Sequence, residues 1–210
     1  MRVYVARHGE TTWNLAGRYQ GRRESALTAL GVRQGFALAE AFARSRPRIE
    51  RIVASPLLRC NATAKFVADR LNITIETDDR LLEIAHGTWE GRLRDEIAAD
   101  DPQRFRAWKE QPGAVEFEGG ETLVQVRSRW QNFATACAGS MPTLVVTHDV
   151  VVRIAILHAQ SRGLDDLWNV RVENAAFAEF EVDAGRWTLV HENANEHLAG
   201  LRAATADQAL

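Results

Sequence analysis

The chain has 210 residues, 46% of them hydrophobic and 26% charged, which suffices for one well-buried core and is short for two. The formal net charge of -2 gives no general basic field, so neither nucleic acid nor an anionic membrane is an expected partner. Any site for an anion must therefore be built locally. The two cysteines, Cys60 and Cys137, show no metal-ligand spacing and suit a reducing compartment.

The start of the chain, MRVYVARHGE, has neither the apolar core nor the cleavage site of a leader segment. No stretch of the sequence has the apolar length of a membrane span. We therefore expect a cytoplasmic protein. The composition leaves the oligomeric state open, with a homodimer as one alternative.

Short apolar runs alternate along the chain with longer stretches of helical periodicity. Strands are predicted over residues 2–6, 51–54, 73–76, 143–147, 176–182 and 186–191. Helices are predicted over residues 27–46, 55–70, two stretches within 93–109, 121–137 and 150–160. Thr28 is the expected N-cap of the first helix, and Ser55 followed by Pro56 is expected to open the second.

This alternation predicts an α/β fold, a three-layer α/β/α sandwich around a mostly parallel sheet with an antiparallel edge. The edge is formed by the last two strands, which turn at Asp183-Ala184-Gly185. The sequence has no internal repeat and no linker, so residues 1–198 are expected to form one domain. Residues 199–210 are Ala-rich and are expected to be a frayed tail.

Three polar motifs each follow one of the predicted strands. Arg7 to Glu10 (RHGE) follow the first strand, Ser55 to Arg59 (SPLLR) the second, and Thr147 to Asp149 (THD) the fourth. Ligands of open α/β sheets bind beyond the carboxyl ends of the strands, so these motifs are expected to converge on one crevice. Helix N-termini favour an anion there, and the planar guanidinium groups of Arg7 and Arg59 suit phosphate oxygens.

Two histidines within these motifs, His8 and His148, point to phosphoryl transfer. A neutral imidazole can attack phosphorus, while a second, protonated imidazole can help to neutralise the equatorial oxygens. The leaving alkoxide needs a proton, for which Glu83 in the loop over residues 81–92 is the candidate. Its carboxyl must then be protonated at working pH, which burial and a negative substrate can arrange. A metal hydrolase is disfavoured because the sequence has no HExxH or comparable ligand cluster.

Five blocks of the chain resemble, in the right order, the histidine phosphatase superfamily with its phosphoglycerate mutase-like fold. They are RHGETTWN (7–14), GRYQGRRESALTALGVRQ (17–34), SPLLRCNATA (55–64), LLEIAHGTWEG (81–91) and THDVVVRI (147–154). The first block alone would be weak evidence, whereas five in sequence are strong. The resemblance covers nearly the whole chain.

By this resemblance, His8 is the phosphorylated nucleophile and Glu83 is the proton donor. The other site residues that it implies are Arg7, Arg59 and His148 in the phosphate pocket, Asn14 as a further phosphate contact, and Gln20 and Gly21 at the substrate mouth. No metal or organic cofactor is implied. A scaffold that had lost catalysis would be expected to lack His8 or Glu83, and both are present.

Two positions near the implied site need a separate interpretation. Asp149 stands where the family commonly has glycine after the second histidine, and a carboxylate there could weaken phosphate binding or cap the following helix. His86 lies close to Glu83 in the sequence. It is interpreted as a solvent-exposed loop histidine rather than as a substrate contact.

The resemblance allows two reactions, which differ in the acceptor of the phosphoryl group. Water is the acceptor in a phosphatase, whereas a 2,3-bisphosphoglycerate-dependent phosphoglycerate mutase returns the group to a bound glycerate and excludes water. The mutases of this family have an extra basic segment between the glutamate block and the second histidine block, and the interval 92–141 is too short for it. We therefore expect a phosphomonoesterase that acts on a small phosphorylated metabolite, such as a sugar phosphate or phosphoglycerate-type ester. A glycosyl-3-phosphoglycerate phosphatase is a narrower form of this prediction, and the mutase is the alternative.

Overall fold

The computed structural model describes residues 1–45, 47–137 and 141–201. Its strands are β1 (Arg2–Arg7), β2 (Arg51–Ala54), β3 (Ile75–Thr77), β4 (Thr143–Thr147), β5 (Phe177–Asp183) and β6 (Arg186–Ala194). They form a six-stranded sheet in the order β3-β2-β4-β1-β5-β6. The first four pair in parallel, and β5 and β6 add an antiparallel edge, as predicted.

Helices cover both faces of this sheet. They are α1 (Thr12–Leu15), α2 (Ala29–Arg44), α3 (Leu58–Leu71), α4 (Arg94–Asp100), α5 (Pro102–Glu110), α6 (Leu123–Cys137) and α7 (Asp149–Ala159). Short 3-10 turns lie at Asp79–Leu81, Gly87–Trp89, Pro112–Ala114, Leu164–Asn169 and Glu196–Leu198. Among the described residues, no helix is both long and apolar enough to cross a membrane.

The alternation of side chains along β1 explains the three layers. Val3 and Val5 point to a core shared with α6 and α7, whereas Tyr4 and Ala6 point to a second core shared with α2 and α3. Successive side chains of a strand face opposite sides of the sheet, so strands buried on both faces are apolar throughout. The predicted three-layer α/β/α sandwich is therefore confirmed.

The two predicted helix caps have different outcomes. Thr28 caps α2 as predicted, with its side-chain oxygen accepting a hydrogen bond from the Gly31 amide at 3.0 Å. The predicted N-cap at Ser55 is wrong, because α3 begins only at Leu58 and its N-cap, Leu57, has no capping side chain. The exposed carboxylate of Glu24 accepts the hydrogen bond from the Leu58 amide instead, at 3.1 and 3.2 Å.

The predicted tail falls partly outside the described residues, which end at 201. Within them, the Gln34 side chain donates a hydrogen bond to the Leu201 carbonyl at 2.9 Å. The tail prediction for residues 202–210 lies outside the described part of the chain.

Candidate active site

The parallel pairing of β1, β4 and β2 brings the three polar motifs together. Arg7 at the end of β1 is in register with Thr147 at the end of β4, so the next residues, His8 and His148, are neighbours. Their rings lie edge to face with centroids 5.3 Å apart. His8 and His148 are 140 residues apart in the sequence. The order of the strands in the sheet, rather than closeness along the chain, therefore brings the motifs together.

A pocket of about 270 Å³, counted with the solvent space at its mouth, opens at this edge of the sheet. Its lining residues are Arg7, His8, Asn14, Gln20, Gly21, Arg59, Glu83, His86 and Asp149. Seven of the eight predicted site residues are therefore in the lining. His148 is the eighth, and it contacts the His8 ring instead.

His8 is fixed as a neutral imidazole with one defined free nitrogen. Its Nδ1 lies 2.8 Å from the Gly9 carbonyl oxygen, which requires a proton on Nδ1 and leaves the lone pair on Nε2. Burial lowers the pKa of His8 well below its usual value, and the charges of Arg59 and Arg7 lower it further. Since only the neutral ring is nucleophilic, these effects favour attack by Nε2.

The two arginines of the pocket are buried and held by protein acceptors. Arg7 is 3% exposed, and its NH1 lies 3.2 Å from both the Asp149 carboxylate and the Val172 carbonyl. Arg59 is 1% exposed, and its terminal nitrogens donate to the carbonyls of Gly21 at 2.7 Å and Arg23 at 2.9 Å. Side chains fixed in this way present a preorganised positive surface to an oxyanion.

Glu83 has the environment of a protonated acid. Burial raises the pKa of this carboxyl to about 7, with a further contribution from the negative charge of Asp149. The Ile84 amide, which donates to the carboxyl at 2.9 Å, and the guanidinium groups of Arg59 and Arg129 oppose that shift. Near neutral pH a substantial share of the side chain therefore carries the proton that a general acid needs.

His148 is completely buried behind the ring of His8. Its Nε2 lies 2.8 Å from the hydroxyl of Ser55, and the thiol of Cys60 is 3.4 Å from the same nitrogen. Burial lowers the pKa of His148 well below its usual value, and the charge of Arg59 acts in the same direction. The structure thus favours a neutral His148, in contrast to the predicted protonated ring, and it shows that Ser55 holds this histidine instead of capping a helix.

The residues predicted at the substrate mouth are ordered by hydrogen bonds within the loop after β1. Asn14 and Thr11 form a reciprocal capping box at α1. The Gln20 side chain accepts hydrogen bonds from the hydroxyls of Thr11 at 3.1 Å and Ser25 at 2.6 Å. Gly21 has φ of +50°, a left-handed conformation that favours glycine.

His86 was interpreted from the sequence as solvent-exposed, and that interpretation is wrong. It is 3% exposed, and its ring packs edge to face against Tyr19, Trp108 and Phe117 at centroid distances of 5.1, 5.7 and 4.9 Å. Both ring nitrogens are buried without a hydrogen-bond partner, and burial lowers the pKa of His86 to about 3. Local sequence could not show this, because Trp108 and Phe117 come from a distant segment.

Asp149 is the second pocket residue with no role in the sequence prediction. It is 1% exposed and is paired with Arg7 on one side and Arg153 on the other. The N-cap of α7 is His148, so Asp149 does not cap the helix. The sequence did contain a signal for the pair of Asp149 with Arg153, because an acid four residues before an arginine on one helix can pair with it.

The geometry has a counterpart among known proteins. Residues 3–195 match the model of the histidine phosphatase superfamily, branch 1. The chain belongs to this superfamily. The match spans nearly all of the sequence and confirms the predicted family.

Individual relatives carry both phosphatase and mutase names. The chain is 32% identical to phosphoserine phosphatase 1 of Hydrogenobacter thermophilus, over 94% of each protein. It is 30% identical to a probable phosphoglycerate mutase, GpmB, of Yersinia pestis, over 89% of this chain and 87% of that protein. Among solved structures, Bacillus stearothermophilus YhfR superposes with a TM-score of 0.89 and 30% identity, over 94% of this chain and 98% of that one. The superposition confirms the predicted fold.

Proposed function

We propose that this phosphomonoesterase of the histidine phosphatase superfamily hydrolyses a small phosphate ester through a phosphohistidine on His8. One observation carries the proposal: His8 and Glu83 line the same buried pocket, beside the guanidinium groups of Arg7 and Arg59. The pKa of His8 is lowered, which favours a neutral nucleophile, and that of Glu83 is raised to about 7, which favours a protonated acid. Such a pair of opposed shifts is how a site supplies an acid and a nucleophile at one pH.

In the first step, Nε2 of His8 attacks phosphorus. A bond forms between nitrogen and phosphorus while the bond from phosphorus to the ester oxygen breaks. The ester oxygen takes the bonding electron pair and receives the proton of Glu83, so the alcohol leaves uncharged. The products of this step are the free alcohol, phosphohistidine and the Glu83 carboxylate.

In the second step, water attacks the phosphohistidine. The Glu83 carboxylate accepts a proton from the water, whose oxygen bonds to phosphorus as the bond to Nε2 of His8 breaks. Inorganic phosphate leaves, and both side chains return to their starting protonation states. The same carboxyl therefore acts as acid in one half-reaction and as base in the other.

The transferred group is stabilised by the guanidinium groups of Arg7 and Arg59 in the pocket, and the imidazole of His148 contributes from its position against the His8 ring. The two arginines are preorganised, because their positions are fixed by acceptors on neighbouring loops. His148 is held by Ser55. A phosphoryl dianion beside it would raise its proton affinity, so the predicted protonated form belongs to the substrate complex.

The charges of the pocket favour a phosphatase over a mutase. Among the described residues that line it, Arg7 and Arg59 are the cations, and Asp149 offsets part of their charge. A phosphoglycerate mutase must also bind a bisphosphoglycerate, which carries a second phosphate besides the transferred one. That second phosphate calls for further cations, which this lining does not provide.

The size of the pocket and the relatives suggest the order in which substrates should be tried. A compact ester of the phosphoserine type comes first, because a phosphoserine phosphatase is 32% identical and the pocket is small. Sugar phosphates and glycosyl-3-phosphoglycerate come next. Such metabolites are cytoplasmic, which is where we propose that the enzyme acts.

The test is a panel of phosphate esters assayed for released inorganic phosphate in a buffer with excess chelator. We expect wild-type enzyme to hydrolyse at least one small alkyl ester, and the matched variant His8→Ala to hydrolyse none. Activity that needs an added divalent ion, or that survives in His8→Ala, would overturn the proposed mechanism.

A further inference from the structure

The first turn of α7 carries a buried carboxylate with two guanidinium partners. Oδ1 of Asp149 lies 3.2 Å from NH1 of Arg7, and Oδ2 lies 2.5 Å from Nε of Arg153. Arg153 is one helical turn further along, which is the spacing at which side chains of a helix meet. The carboxylate thus bridges the arginine of the phosphate pocket to an arginine outside it.

Arg153 is itself anchored on its far side. NH1 of this residue donates hydrogen bonds to the carbonyls of Leu167 and Val170, and its guanidinium carbon lies 5.0 Å from the ring centre of Trp168. These contacts fix Arg153 against the 3-10 turn at Leu164–Asn169. Asp149 consequently has little freedom to turn away from the pocket.

Asp149 and Glu83 line the same pocket, although they come from different elements. Two carboxyl groups in one buried site cannot both ionise without strong repulsion. Asp149 has its charge compensated by Arg7 and Arg153, whereas the carboxyl of Glu83 takes a hydrogen bond from the Ile84 amide. The proton is therefore expected to reside on Glu83.

We propose that Asp149 is a positioning residue for catalysis, which acts through Glu83. Its negative charge, held beside the pocket by Arg7 and Arg153, adds to the effect of burial in favouring the protonated form of the general acid. This inference rests on the proposed function, in which Glu83 protonates the leaving group. It also gives a role to the one pocket position at which the sequence departs from the glycine common in the family.

Several charged groups face Glu83, and the proposal depends on their balance. Asp149 on α7 favours the protonated carboxyl, while Arg59 on α3 and Arg129 on α6 favour the ionised one. Arg7 at the end of β1 also interacts electrostatically with Glu83. Removing the charge of Asp149 leaves the three arginines unopposed, so ionisation of Glu83 should occur at lower pH.

The experiment measures kcat/KM against pH for glycerol 2-phosphate and p-nitrophenyl phosphate, with wild type and Asp149→Asn. The value of kcat/KM depends on the steps up to the release of the first product. The leaving group takes up its proton within these steps. With glycerol 2-phosphate we expect the alkaline limb of Asp149→Asn to move to lower pH by about one pH unit. With p-nitrophenyl phosphate, whose leaving group departs without a proton, the alkaline limb of Asp149→Asn should coincide with that of wild type.

Two further variants serve as controls. Asp69→Asn removes an exposed carboxylate paired with Lys65 and should reproduce the wild-type limb. Asp149→Gly removes the charge without placing an amide against the arginines, and it should shift the limb as Asp149→Asn does. Thermal unfolding of each variant identifies any that do not fold.

An active, folded Asp149→Asn whose limb with glycerol 2-phosphate coincides with that of wild type would overturn the inference. An equal shift in Asp69→Asn would also overturn it, because net charge alone would then explain the effect. A wild-type enzyme that releases no phosphate from any alkyl ester would instead overturn the proposed function.

Discussion

At the scale of single residues, burial sets the chemistry of this site by acting in opposite directions on acids and bases. Removing a group from water disfavours its charged form, which lowers the pKa of a histidine and raises that of a carboxyl. His8 and Glu83 are 3% and 6% exposed, so both are subject to the effect. One desolvated pocket therefore favours a neutral imidazole at His8 and a protonated carboxyl at Glu83.

The general-acid role of Glu83 predicts unequal losses on different esters. In Glu83→Gln, kcat/KM for glycerol 2-phosphate should fall by roughly 10²- to 10⁴-fold, the usual worth of general acid catalysis. The value for p-nitrophenyl phosphate should fall far less, because nitrophenolate leaves without a proton and Arg7 and Arg59 still bind the phosphate. Steady-state kinetics on both esters at one pH make the comparison. Equal losses would assign the proton to another group.

The pH dependence of the wild type follows from the same residues. With an alkyl ester, kcat/KM should decline as pH rises through about 7, because Glu83 then loses the proton that it must donate. Protonation of His8 should not reduce activity until well below its usual pKa. A pH profile with glycerol 2-phosphate checks the alkaline limb, and a flat profile up to strongly alkaline pH would exclude Glu83 as the acid.

At the scale of elements, the position of His8 depends on the close approach of α2 to the loop after β1. A Cβ added at Gly31 would lie 2.1 Å from the Glu10 carbonyl oxygen. The same loop is held by the Gln34 side chain, which accepts from the Glu10 amide at 2.8 Å. The glycine in this first helical turn is thus required by backbone contact.

Gly31→Ala should therefore lower both stability and activity. The contact with backbone should cost about 1–3 kcal/mol, against at most ~1 kcal/mol gained from helix propensity. Displacement of His8 should reduce kcat/KM by roughly 10- to 100-fold. Denaturant unfolding and kinetics on p-nitrophenyl phosphate measure the two effects. The matched control is Gly163→Ala, because Gly163 has φ of -71° and a Cβ added there meets nothing within 4 Å. If Gly31→Ala were as stable and as active as this control, the account would be contradicted.

The elements also show what local sequence can and cannot predict. The strand 143–147 and the cap at Thr28 were predicted correctly, because apolar runs and capping residues act over a few neighbours. The role of Ser55 was not, since its partner His148 follows a different strand, β4, far along the chain. The burial of His86 was missed for the same reason. Contacts between distant segments depend on the assembled fold, which periodicity does not encode.

At the scale of the whole molecule, the fold brings residues from one strand, three helices and several loops to one end of the sheet. Relatives of this chain carry both phosphatase and mutase names, so the fold alone does not choose between hydrolysis and mutase activity. The choice rests on the charges and the water access of the pocket. The resemblance of five sequence blocks was enough to predict the fold and seven of the nine pocket residues; it did not predict the placement of His86 and Asp149.

The balance of pocket charges predicts that hydrolysis exceeds mutase activity by a wide margin. Conversion of 3-phosphoglycerate with 2,3-bisphosphoglycerate present should be slow beside hydrolysis of the best ester. Arg7 and Arg59 are both needed for the transferred phosphoryl group, which leaves them unavailable to a second anion. A coupled mutase assay run beside the phosphate-release assay decides the matter, and equal turnover numbers would reverse the preference.

The central claim, a phosphoryl group carried on His8, is tested most directly by trapping it. Glu83→Gln should accept the phosphoryl group from p-nitrophenyl phosphate readily but transfer it to water slowly, because the second step needs a base. A rapid alkaline quench of this variant, followed by peptide mapping by mass spectrometry, locates the group. We expect phosphate on His8, and none in the double variant His8→Ala/Glu83→Gln. Phosphate on His148, or release of nitrophenol in a burst with no phosphorylated residue, would contradict the account.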